Sequence, residues 1–176
     1  GHDGTPTSAA HLLNNTIEKV VTQGLALEKG QLEIGIVSFG DKAEVLQNLV
    51  PQEEIAVDDW RTGGKLRRNG RSGCTNMESG LRTALRMFPS VPNLRGCKSA
   101  KQVVVLLTDG HPTTGIQIGS ELRNMVDRLT PATAPTCPEV HMIGIGQSLQ
   151  EPFVKSFCQD SKGLFACAKT ASEIDQ

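Results

Sequence analysis

The sequence lacks several things, and each absence removes a class of function. It lacks an excess of either charge: 18 Lys and Arg stand against 19 Asp and Glu, for a formal charge of −1. A general nucleic-acid binder or a membrane-surface binder carries a strong basic bias, so neither is expected here. It lacks an apolar run long enough to span a bilayer, and no signal-peptide pattern is visible. It lacks a C-x-x-C pair, which argues against a zinc site of the structural kind. There are no repeats and no low-complexity tracts. Nothing in the chain has the form of a phosphate-cradling Gly-rich loop or of a nucleophile–base pair.

What is present suits one compact domain spanning residues 1–176, with 38% hydrophobic residues to build a core. Five cysteines, an odd number, allow two readings. Two disulfides with one thiol left over would indicate an oxidising compartment, hence an extracellular or secreted protein. Five reduced core thiols would not. Asn14-Asn15-Thr16 is a glycosylation sequon, but it falls within a helical pattern.

The strongest signal is Lys101–Thr114, KQVVVLLTDGHPTT. The apolar run Val103–Leu107 is short and bounded by turn residues, the pattern of a strand buried on both faces. It ends at Thr108, Asp109 and Gly110. Ligands of open α/β sheets sit at the carboxyl ends of strands, so Asp109 is either the floor of a crevice or a solvated turn residue.

The other elements alternate around this strand. Ala10, Leu13, Ile17, Val20, Val21 and Leu25 recur at helical spacing. Gln31–Phe39 and Ala43–Leu49 read as strands joined through Gly40-Asp41-Lys42 in a hairpin. Pro51–Trp60 has room for a short helix. Arg61–Gly73 is a loop carrying Lys65, Arg67, Arg68 and Arg71, either a solvated loop or a basic rim that attracts an acidic partner. Thr75 or Asn76 opens a helix with Met77, Leu81, Ala84, Leu85 and Phe88 on its apolar face. A helix over Ile118–Leu129, a strand over Val140–Gly146, a helix from Pro152 to about Cys158 and a strand over Gly163–Ala168 follow. His141 reads as a core histidine and His111 as an exposed one. The class is α/β, doubly wound, with a mostly parallel sheet, helices on both faces and one antiparallel edge strand at Ala43–Leu49. Gln102–Thr108 is expected in the middle of that sheet.

Four pieces in order, IGIVSFG, GCTNMESGL, VVVLLTDG and VHMIGIG, make the chain resemble the von Willebrand factor A domain family, also seen as the inserted domain of integrins. The resemblance implies a metal-ion-dependent adhesion site for Mg²⁺, or Mn²⁺ or Ca²⁺. Thr75 matches the family's second-loop Thr and Asp109 its third-loop Asp. Hard cations take oxygen ligands and keep waters, so hydroxyls with few carboxylates leave a position for a partner's acid. The family's D-x-S-x-S loop and first strand have no clear match. Asp3-Gly4-Thr5-Pro6-Thr7 has D-x-T-x-T spacing, making Asp3 a stand-in ligand, although Gly4-Thr5-Pro6 also resembles the Gly-x-Pro that precedes the family's first helix. The expectation is a domain trimmed at both ends, with weak or empty metal occupancy.

The resemblance also implies disulfides Cys97–Cys137, at matching distances before two neighbouring parallel strands, and Cys158–Cys167. The implied function is a protein-binding or adhesion module that grips an acidic partner residue through the cation, with Arg67, Arg68, Arg71 and His111 as its rim. A metal-independent structural or matrix domain is the alternative. No catalysis is expected, because Gly110-His111 stand where a second acid would be needed beside Asp109.

Overall fold

The computed structural model describes Lys19 and residues 32–60, 73–89, 101–108, 110–129, 138–145, 151–158 and 165–168. Its strands are β1 (Glu33–Phe39), β2 (Ala43–Pro51), β3 (Val103–Thr108), β4 (Glu139–Ile145) and β5 (Phe165–Ala168). Its helices are α1 (Met77–Met87), α2 (Gly119–Leu129) and α3 (Glu151–Cys158). The expected short helix after β2 is two 3₁₀ turns, Gln52–Glu54 and Val57–Asp59. The segment Ala10–Leu25, expected to be a helix, lies outside the described residues apart from Lys19.

The strands form two sheets. β1 and β2 pair antiparallel, Phe39 opposite Ala43 and Glu33 opposite Pro51, with register shifts around Ile36. β3, β4 and β5 are parallel, in that order, with Val104 opposite Val140 and Ile143 opposite Ala166. The parallel connections and the single antiparallel strand agree with the sequence reading. Among the described strands β4 has a neighbour on both sides and β3 on one.

One core joins the layers. Val104 and Leu106 of β3 and Val140 and Met142 of β4 pack against Met77 and Leu81 of α1, Leu122, Met125 and Val126 of α2, and Phe153, Val154 and Phe157 of α3. Phe39 of β1 packs against the same cluster, so α1 bridges the two sheets. All of these helices thus lie on one face of the β3–β5 sheet. That changes the reading of β3, which is not buried on both faces. Val104, Leu106 and Thr108 are buried, whereas Val103 and Val105 on the other face are 38% and 49% exposed. The far face of the β1–β2 hairpin has its own cover, with Ile55 and Trp60 packed on Ile34, Ile36, Leu46 and Val50.

His141 follows from the same pleat. It stands opposite Val105, on the face away from the helices, and is half-buried rather than a core residue. Its Nε2 is 3.4 Å from Glu139 Oε2, and that carboxylate also meets Lys101 Nζ at 2.8 Å. The Lys101 hydrogen bond is the main cause that holds the Glu139 carboxyl below its ordinary range. A depressed carboxyl pKa stabilises the fold above the unfolded-state value and loses that contribution as pH falls through the folded one. Glu139→Gln should therefore be less stable than the parent at pH 7, and the gap in urea midpoints should close on acidification below the carboxylate range.

α2 starts where no side chain fits. A Cβ on Gly119 would overlap the Phe153 carbonyl oxygen and Ser156 Oγ, and would lie 2.9 Å from the Phe157 amide nitrogen. α2 and α3 therefore touch backbone to backbone. Gly119→Ala should destabilise by about 1–3 kcal/mol through overpacking. Gly73→Ala, with open space around its Cβ position, should stay within about 0.5 kcal/mol of the parent in denaturant titrations.

Candidate functional site

Three loops meet at the start of α1. Asn76 is its N-cap, with its Oδ1 accepting from the Ser79 amide at 3.0 Å. The same side chain donates through Nδ2 to the Asp41 carbonyl at 3.3 Å, and the Asn76 amide donates to the Gly40 carbonyl at 2.8 Å. The Ser79 hydroxyl accepts from the Ala43 amide at 3.1 Å. These bonds fasten the β1–β2 turn to the helix. A Cβ on Gly80 would meet the Phe39 ring at 2.9 Å, so a glycine is needed for this close approach.

The loop after β3 is fastened on the other side. The Thr113 amide donates to the Thr75 carbonyl at 2.9 Å, and the Thr75 amide donates to Thr113 Oγ1 at 2.8 Å. The Thr114 amide reaches the same carbonyl at 3.5 Å. Glu78 Oε2 accepts from the Ile116 amide at 3.1 Å while Oε1 holds Arg82 at 2.8 Å. Gly115, at φ +71°, lies where a Cβ would be 2.6 Å from Asn76 Oδ1. The ends of β1 and β3 are thus held against one short segment, Thr75–Asn76.

Thr75 lies at the carboxyl end of the strands, against the loop after β3. Its backbone is engaged in both directions, and its hydroxyl makes no hydrogen bond among the described residues. Beside it, Thr114 Oγ1 is buried without a hydrogen-bond partner. These oxygens suit a hard cation, whereas no group of three His, Cys, Asp or Glu among the described residues could hold a metal. Asp109 and Asp3 lie outside the described residues, as do Arg67, Arg68 and Arg71. The neighbours of Asp109 are described: the buried Thr108 hydroxyl donates to the Gly110 carbonyl at 2.9 Å and accepts from the Gly110 amide at 3.4 Å. His111 is half-buried rather than exposed, its ring edge-on to Phe153 with centroids 5.7 Å apart.

Of the two expected disulfides, one falls outside the described residues and the other is not formed. Cys97, Cys137 and the side chain of Cys167 lie outside the described residues. The expected Cys158–Cys167 bridge is not formed in this structure; Cys158 carries a half-buried thiol whose pKa is raised by burial and drawn back by the charge of Arg123.

Glu78, Thr113 and Gly115 are contributors that sequence reading missed. Thr75-Asn76-Met77-Glu78 has the spacing of a capping box. In the fold Asn76 takes the cap, and Glu78 turns its carboxylate to the loop after β3 instead.

A model of the von Willebrand factor type A domain matches residues 8–175. The chain belongs to this family. A von Willebrand factor type A protein from Catenulispora acidiphila is similar in fold, with a TM-score of 0.69 at 15% identity over 94% of this chain and 36% of that one. Proximal thread matrix protein 1 from the mussel byssus gives 0.65 at 18% identity, over 94% of this chain and 40% of that one. A structure of the same mussel protein "with zinc occupied MIDAS motif" gives 0.64 at 17% identity, over 94% and 40%. The chain thus spans 36–40% of the length of these relatives. No curated protein matches it. Domains of this family are protein-interaction modules, and among the described residues no helix is long and apolar enough to cross a membrane.

Asn76 should be the most sensitive polar side chain of the junction. Asn76→Ala removes the cap and the link to Asp41, and should cost at least about 1 kcal/mol in equilibrium unfolding. Asn76→Asp keeps the acceptor for the Ser79 amide and should recover most of that loss.

Proposed function

We propose that this domain is a non-catalytic binding module that grips an acidic residue of a protein partner through a divalent cation held by Thr75 and Asp109. The observation that carries this reading is the state of Thr75. Its amide and carbonyl are both tied down, and its hydroxyl is left over at the meeting point of the loops. An oxygen held still and without a competing internal bond suits Mg²⁺, which demands near-octahedral geometry. Mn²⁺ or Ca²⁺ could take the same oxygens. The zinc in the mussel relative's MIDAS motif supports metal binding at this fold position.

The chain's own residues would act as follows. Thr75 would bind with its hydroxyl, and Asp109 would supply charge from the end of β3, with Asp3 as a further candidate. When bound, the cation would supply a coordination position for the partner's carboxylate. With few carboxylates in the set, the site stays short of negative charge and the partner's acid completes it. Arg67, Arg68, Arg71 and His111 are the proposed rim, and cysteine usage favours an extracellular or secreted setting.

A metal-independent matrix or structural role is the second reading. It is favoured by the exposed valines Val103 and Val105 and by the word matrix in the mussel relative's name. Calorimetry with Mg²⁺ separates the two. The first reading expects weak uptake by the domain alone, stronger uptake with a short acidic peptide, and none in Thr75→Ala or Asp109→Ala. Peptide binding that ignores both Mg²⁺ and these substitutions would establish the second.

A further inference from the structure

We propose that Thr113 is the positioning residue for Thr75: its hydroxyl fixes the backbone of Thr75 and thereby aims the Thr75 hydroxyl at the cation. This rests on the cation-binding reading above. Thr75 precedes the N-cap of α1, so helix hydrogen bonding does not hold it. Thr113 does, by a reciprocal pair. Thr113 Oγ1 accepts the Thr75 amide at 2.8 Å, and the Thr113 amide donates to the Thr75 carbonyl at 2.9 Å. The amide and the carbonyl of Thr75 are thus both engaged by one residue from a loop 38 positions away, with the Thr114 amide a longer second donor to the carbonyl.

The partner loop is itself held on three counts. Glu78 takes the Ile116 amide, Gln117 Nε2 donates to the Thr113 carbonyl at 3.0 Å, and Gly115 adopts a left-handed conformation against Asn76. A Cβ there would be both strained and obstructed. Thr113 is therefore anchored from α1 and from its own loop before it touches Thr75. Its work needs a side-chain acceptor oxygen, because the bond that fixes the Thr75 amide ends on Thr113 Oγ1. Outer groups that orient a metal ligand typically change metal affinity by about 10–100-fold when removed.

The test is titration with Mn²⁺, following the free ion by electron paramagnetic resonance, with hydrogen exchange at the Thr75 amide recorded without metal. Thr113→Val removes the hydroxyl and keeps the shape. It should weaken Mn²⁺ binding by about 10–100-fold and speed exchange at Thr75. Thr113→Ser, which keeps the oxygen, should stay near the parent in both. That rescue separates positioning from a merely structural role, which the lost methyl group would also disturb. Should Thr113→Val not fold, Thr113→Ala removes the same oxygen and carries the comparison. Parent-like affinity in the hydroxyl-free variant, or Thr113→Ser as weak as Thr113→Val, overturns the proposal and leaves cation binding standing. A parent protein that takes up no Mn²⁺ overturns cation binding and this proposal with it.

Discussion

The constraint on which the structure depends is the pinning of one dipeptide, Thr75–Asn76, between two loops. Asn76 ties it to the β1–β2 turn and Thr75 ties it to the loop after β3. The two sheets share no hydrogen bonds among the described strands. What relates them is α1, which packs on β1, β2 and β3, and the start of α1, where the strand ends are fastened. A single hydrogen bond contributes only about 0.5–1.5 kcal/mol net, but a set that shares donors and acceptors within one segment fixes geometry more than it adds stability. The packing of Phe39, Leu81 and Val104 in one cluster holds the layers together, and the polar junction sets how their ends meet.

Much of this was legible in the sequence because the periodicities are strong. VVVLL bounded by turn residues could hardly be a helix, and the alternation of such runs with amphipathic stretches specified parallel connections. Gly40-Asp41-Lys42 was short enough to force the antiparallel pair. Thr75 was found because a Thr beside an Asn at a helix start, taken with a strand ending in Thr-Asp-Gly, resembles a family's loops in order. Burial was less legible. An unbroken apolar run does not say which side is covered, and β3 has Val103 and Val105 exposed on the side away from α1, α2 and α3. His141 was misread for the same reason, since its neighbours in sequence are apolar while its neighbours across the pleat are Val105 and, two residues back, Glu139.

The remainder was hidden because it depends on long-range partners. Nothing local marks Thr113 as the acceptor for an amide 38 residues earlier. Glu78 has capping-box spacing from Thr75, yet its carboxylate accepts from Ile116, 38 residues later. Trp60 carries no periodic signal, yet with Ile55 it covers the outer face of the hairpin. In each case a loop residue acquires its role from an element that sequence spacing does not bring near.

The division of labour at the junction bears on how the proposed recognition site would work. Around Thr75 the described side chains are hydroxyls, an amide that caps a helix and a glutamate occupied by an amide and by Arg82. These groups hold shape through the hydrogen bonds they make. As a cation ligand the Thr75 hydroxyl alone would be weak, so affinity would have to come from the rigidity of its support and from charge brought by others. Under the proposed cation-binding reading, such a site would discriminate by completion: it would bind well only when a partner supplies a carboxylate, and the Thr75–Thr113 clasp would keep the Thr75 hydroxyl in place until one arrives.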